Sequence, residues 1–304
     1  MNTITHTVTD VTPNLAPPVN LHSFTQGTAI RPDVLARMQR TRAALTDDAL
    51  RAKAPSVFAT EPWGGMSDRY EFIPTIDLVH ALRKNGFSPV NAIQSRSRIE
   101  GKAEFTKHML RFRPEEAQHL RMVGDTIPEI VLVNSHDGAS GFQLMAGLYR
   151  LVCNNGLIVS AGSIGEIRVR HTGDIRDNVI EGSYRVIEEM PKIGPLVQRM
   201  QQAVVAPPQA LAIAAAARAL RWEEQADCPI QDEQLLRIRR QDDAAANLWM
   251  VMNRIQENMM QGGLRGKGST GKRYTTRAVG GVSENVKLNR DIWALGEEAL
   301  EILA

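Results

Sequence analysis

His108-Met109-Leu110-Arg111-Phe112-Arg113 and Ile130-Val131-Leu132-Val133-Asn134 are the two stretches on which the fold turns. In the first, side chains alternate, so Leu110 and Phe112 point to one side while Met109, Arg111 and Arg113 point to the other, which is the period of a strand. In the second, four successive apolar residues match a central strand covered on both faces. Val90 to Arg96 and Ile164 to His171 read as further strands, and together these runs predict a small antiparallel sheet.

Outward from the sheet the period becomes helical. Ser67 to Thr75 reads as a short strand ending at Pro74, with Thr75 as the cap of a helix carrying Asp77 in its first turn and Leu78, Val79 and Leu82 on one face. Lys84 and Gly86 then supply a cationic, left-handed stop. Arg31 to Arg51 suggests a modest helix. Phe142 to Val152 places Leu144, Met145, Leu148, Leu151 and Val152 at helical spacing, closed by Asn155-Gly156. Beyond Thr172 the chain reads as mostly helical. Its helices centre on Val186, Ile187 and Met190, on Ile193, Val197 and Met200, on Gln209 to Trp222 after Pro207-Pro208, on Leu248 to Met259 and on Ile292 to Leu303. The expected class is α+β, a small antiparallel sheet with packed helices followed by a mostly helical C-terminal region. Residues 1–30 read as a flexible tail, 31–200 as the α+β core and 201–304 as the helical region, which carries a basic glycine-rich loop at 262–277.

Composition excludes several classes. With 43% apolar and 23% charged residues the chain has enough hydrophobic surface for a sizeable core, and its formal charge of +2 does not by itself announce a polyanion partner. Cys153 and Cys228 are the only cysteines, too few and too distant for a disulfide framework or a thiolate zinc site. No run approaches the ~20 apolar residues of a membrane span. The expectation is a cytoplasmic protein with no membrane partner.

Local charge is more telling. Lys107, Arg111 and Arg113 lie on or beside one strand, Arg168 and Arg170 on another, and Arg96 and Arg98 close the run before them. Guanidinium forks match phosphate oxygens, and a surface lined with them follows a nucleic-acid backbone without reading bases. The loop Gly262 to Arg277 (GGLRGKGSTGKRYTTR) adds Arg265, Lys267, Lys272, Arg273 and Arg277 among five glycines, and no carboxylate lies between Glu257 and Glu284. The alternative for each is a solvated face or linker, the arginines being balanced by acids such as Glu100 and Glu166.

No catalytic centre assembles from spacing. Gly266, Gly271 and Lys272 match the start of G-x-x-x-x-G-K-[ST], but Arg273 stands where the magnesium-binding hydroxyl belongs, and the segment follows a helix rather than a strand. The histidines at 80, 108, 119, 136 and 171 lack metal-ligand spacing and read as structural. Asn134-Ser135-His136-Asp137-Gly138 has the composition of a turn. Cys153, with His136 as a base, is outweighed by a buried core cysteine. No cofactor or metal site is expected.

The strings SDRYEFIPT, FTKHMLRFR, VNSHDG and AGLYRLVCNNGLIV, followed in order by NRIQEN, TTRAV and LNRDIWALGEE, resemble the phage- and plasmid-carried family called domain of unknown function 932, over roughly Ala54 to Glu298. The resemblance implies carriage on mobile elements and offers no catalytic residues. Genes on such elements serve replication, recombination or protection from host defences, which raises the expectation of a nucleic-acid role by analogy. The leading expectation is non-catalytic DNA binding in replication or recombination, with a single-strand annealing-like role as one form of it and the choice between single and double strands left open. The alternative is a module that docks a host protein, and a metal-dependent nuclease ranks third. A homo-oligomer stays open.

Overall fold

Successive apolar residues on both faces make the centre of this protein a sheet wrapped on two sides. The structure, a computed structural model, describes residues 43–66, 70–114, 126–150, 155–159, 167–169, 175–222, 228–268 and 271–304. The flexible tail expected for 1–30, most of the helix expected at Arg31 to Arg51, Cys153 and Arg170 lie outside them.

Among the described residues six strands form the sheet: β1 (Phe87–Gln94), β2 (His108–Pro114), β3 (Thr126–Asn134), β4 (Phe142–Arg150), β5 (Asn155–Val159) and β6 (Ile167–Val169). They run β1-β2-β3-β4-β5, every pair antiparallel, and β6 shares the outer edge of β4 with β5. β5 pairs with Ala146 to Arg150 and β6 with Phe142 to Leu144. Pro89 lies in the edge strand β1 beside a register shift, where the missing N–H costs least.

Four expectations fail here. Of the helix expected at Phe142 to Val152, the described part, Phe142–Arg150, is the strand β4: it is buried at nearly every position because its two faces are both covered, so its apolar residues are too dense for periodicity to decide between the two forms. Asn155-Gly156, read as a helix stop, instead opens β5. Thr75 starts its helix without capping it, since its hydroxyl is drawn into a buried polar cluster and Pro74 takes the cap position. Residues 70–74, expected to be strand, are not one.

The first face of the sheet, carrying Leu110, Phe112, Ile130, Leu132, Leu144 and Leu148, packs under α1 (Asp47–Lys53), α2 (Thr75–Lys84) and α3 (Ile175–Glu189). Its core continues without a break from Leu50 to Leu300 through α4 (Ile193–Gln202), α5 (Pro207–Arg221), the short α6 (Asp232–Leu235), α7 (Leu248–Gln261) and α8 (Val282–Leu303). The second face carries a smaller cluster, Met109, Val131, Val133, Met145 and Ile158, capped by Val282 and Val286 of α8. One end of α8 therefore lies on the sheet and the rest on the helices. The chain is α+β with a helical C-terminal region.

Candidate nucleic-acid interface

The alternation of β2 puts Arg111 and Arg113 on the second face, but that face is covered, and the two arginines are only 4% and 6% exposed. Both reach Glu129, fully buried on β3: Arg111 Nη1 donates to Oε2 at 2.7 Å and Arg113 Nε to Oε1 at 2.7 Å. Arg111 also donates to the Gly156 carbonyl at 2.8 Å, and Arg113 lies 3.9 Å from the centre of the Tyr149 ring. Glycines make the space for this group. A Cβ on Gly156 would stand 2.4 Å from the Arg111 guanidinium carbon, and one on Gly147 would stand 3.3 Å from its Nη1. A buried ion pair that loses one member leaves an uncompensated charge worth ~3–5 kcal/mol. These two arginines thus hold the sheet together and offer no surface to a ligand.

The other cations do converge. At the opposite end of that face, paired neighbours Val133, Gln143 and Arg168 lie in one row across β3, β4 and β6. Lys107 leads into β2 beside them and donates to Ser283 Oγ at 2.9 Å across the gap to α8. From α8, Lys287 and Arg290 face the same space. The result is a groove of about 440 Å³ between sheet and helix, whose described lining residues include four cations and one carboxylate, Asp291, which lies 3.3 Å from Lys287. The first turn of α8, at Val282 and Ser283, forms one wall and adds the partial positive charge of a helix N-terminus. Such a groove attracts phosphate groups by field and by donor geometry together.

Arg96 and Arg98 are exposed on the loop between β1 and β2, near the groove's end of the sheet, where the Ser95 amide donates to the Lys107 carbonyl at 2.7 Å. The loop at 262–277 folds as a hairpin of β7 (Arg265–Lys267) and β8 (Arg273–Thr275), and Arg265, Lys267, Lys272, Arg273 and Arg277 are all exposed on it or just beyond it. Lys287 and Arg290 were not anticipated. Their only sequence signal is an i, i+3 pair of cations on a helix that follows a basic loop, and their meeting with Lys107 and Arg168 depends on tertiary packing.

A second polar centre sits under the first face. Thr75 Oγ1 lies 2.9 Å from His108 Nε2, 3.1 Å from His136 Nε2 and 3.0 Å from Asn134 Nδ2, which fills the capacity of a hydroxyl. His108 Nδ1 lies 2.8 Å from Ser56 Oγ and 3.2 Å from the Thr106 carbonyl, so it carries the ring hydrogen and Nε2 accepts from Thr75. Thr75 then accepts from Asn134 and from His136, whose hydrogen must be on Nε2. Burial pushes the His108 pKa down to about 4, so the ring is neutral. Nearby, burial with the charge of Asp137 pushes Tyr70 up to about 12, and it keeps its proton. Ser56, Thr75, His108, Asn134 and His136 are all fully buried, which makes the cluster a polar core rather than an open site. Among the described residues no group of three or more His, Cys, Asp or Glu side chains is placed to hold a metal. No helix among them is long and apolar enough to cross a membrane.

Comparison with known proteins agrees with the ordered strings in the sequence. The family model "Domain of unknown function (DUF932)" matches residues 62–293. Two Escherichia coli (strain K12) proteins are similar over 265 residues, covering 87% of this chain and 95% of each relative: UPF0380 protein YafZ at 42% identity and UPF0380 protein YfjQ at 41%. No solved structure matches the chain. With its match extending from the segment before α2 into α8, and so across both walls of the groove, the chain belongs to the DUF932 family.

Proposed function

We propose that this protein is a non-catalytic DNA-binding protein of a phage or plasmid element, acting in replication or recombination in the cytoplasm and gripping single-stranded DNA by its phosphates. The observation that carries the reading is the meeting of Lys107, Arg168, Lys287 and Arg290 in one groove, where Asp291 is the one carboxylate among the described lining residues. Cations from the end of a sheet and from a helix form two walls, and a sugar-phosphate backbone laid between them receives donors from both sides. The five exposed cations at 265–277 extend the basic surface elsewhere on the molecule. An annealing-like role is compatible with this grip, because contact through phosphates leaves base edges free to pair.

The test is fluorescence anisotropy of a short labelled single strand at low salt, comparing the parent protein with Lys287→Glu/Arg290→Glu. Both side chains are on the outer wall, so the fold should persist by circular dichroism. Loss of each charge-assisted contact is expected to weaken binding about tenfold. Unchanged affinity in the double variant would remove the groove from the reading. Cleavage of the strand in the presence of magnesium or manganese would overturn its non-catalytic part. Arg111 and Arg113 are unsuitable probes, since their loss attacks the core rather than the groove.

A further inference from the structure

Among the described residues Tyr274 is the only exposed aromatic side chain, at 48% exposure, and it sits at the centre of the basic hairpin. Cross-strand pairing sets Arg265 opposite Thr275, Gly266 opposite Tyr274 and Lys267 opposite Arg273. Alternation then gives the hairpin two faces: Arg265, Lys267, Arg273 and Thr275 share one, while Tyr274 shares the other with Gly266 alone. The ring lies along bare backbone. A Cβ at Gly268 would come within 2.8 Å of its Cε2 and 3.2 Å of its Cδ2.

The hairpin is also anchored. Gly266 lies so close to the Pro229 carbonyl that a Cβ would stand 1.5 Å from its oxygen. Gln234 donates to the Arg265 carbonyl at 2.8 Å, and Arg221 to the Arg277 carbonyl at 2.9 Å. On the other face Lys267 and Arg273 are like charges held directly opposite one another, an arrangement that opposes the pairing unless an anion lies between them. Neither forms an ion pair among the described residues, and the sequence from 258 to 283 holds no carboxylate.

We propose that Tyr274 is a base-stacking platform and that Lys267 and Arg273, on the hairpin's other face, hold phosphates where the strand rounds its edge, so that the hairpin selects unpaired nucleotides. The inference rests on the DNA-binding reading and deepens it. Every base offers a π face to a ring, but a duplex keeps those faces inside its own stack, so the ring contributes only where the strand is single. The cations contribute to both forms of DNA.

The experiment compares the parent, Tyr274→Ala and Tyr274→Phe for binding to labelled oligo-dT and to a long, fully paired blunt-ended duplex. Tyr274→Ala is expected to weaken oligo-dT binding about five-fold or more, with the slope of affinity against salt unchanged because no charge is lost. Duplex binding should not move, and Tyr274→Phe, which keeps the ring, should match the parent. If Tyr274→Ala binds oligo-dT as tightly as the parent while the parent still binds in a salt-dependent way, the platform is wrong and the groove reading survives. If Tyr274→Phe loses as much as Tyr274→Ala, the hydroxyl rather than the ring makes the contact and stacking is overturned. If the parent binds neither DNA, both readings fail together.

Discussion

His108 shows how one residue's surroundings set a property of the fold. Its ring is fully buried and satisfied on both nitrogens as a neutral group, which is why burial lowers its pKa from 6.5 to about 4. The unfolded chain takes up this proton near the ordinary value and the folded protein only near the lowered one. Between the two the unfolded state binds more protons, so stability is full above about pH 6.5 and falls as the pH drops toward 4. The full loss is about 3 kcal/mol. Asp47, held below its ordinary 3.8 by hydrogen bonds from Arg83 and His80, loses its contribution only at lower pH, so the windows separate. Urea midpoints measured from neutral pH down to the mid-fours should fall for the parent and change much less for His108→Gln; parallel curves would show that His108 does not carry the dependence. The same residue scale marks what sequence reading missed. The alternation of β2 correctly set Arg111 and Arg113 on one side, yet their partner Glu129 is on β3 and the Gly156 carbonyl that Arg111 also reaches is on β5, neither of which a local pattern reveals.

At the level of elements, β1, β2, β3 and β6 and most helices were legible because each carries its own period and its own punctuation. α5 begins at Pro207-Pro208 and α2 ends at Gly86 with φ of 79°, both as their residue types dictate. β4 was misread for a physical reason: covered by helices on one face and by α8 on the other, it needed no polar alternation. Its contact with α3 is close at Gly182, where a Cβ would stand 2.8 Å from Leu144 Cδ1 and 3.2 Å from Ile167 Cγ2. Gly182→Val is therefore expected to cost about 1–3 kcal/mol by overpacking. Leu144→Ala in the same molecule should recover part of that loss, read as a non-additive cycle of unfolding free energies. Strictly additive costs would mean that α3 and β4 do not meet here.

Over the whole molecule, the sheet and the helical region are tied by charge as well as by the shared core. Arg150 at the end of β4 donates to Asp243 at 2.5 Å, Arg240 donates to the other Asp243 oxygen at 3.0 Å, and Arg240 also pairs with Glu257 on α7. The groove, formed where Val282 and Val286 of α8 pack on the sheet, has no single stretch of sequence behind it. Lys107 and Arg168 could be marked as basic from their strands; that they face Lys287 and Arg290 follows only from the packing of Val282 and Val286. The most direct measurement is the salt dependence of binding to a short single strand, for the parent and for Arg168→Ala, Lys287→Ala and Arg290→Ala. Log affinity should fall linearly with log salt concentration, with the slope reduced by about 0.7 for each groove cation removed. No binding at low salt, or slopes identical across the four proteins, would contradict the assignment of the groove as the DNA-binding surface.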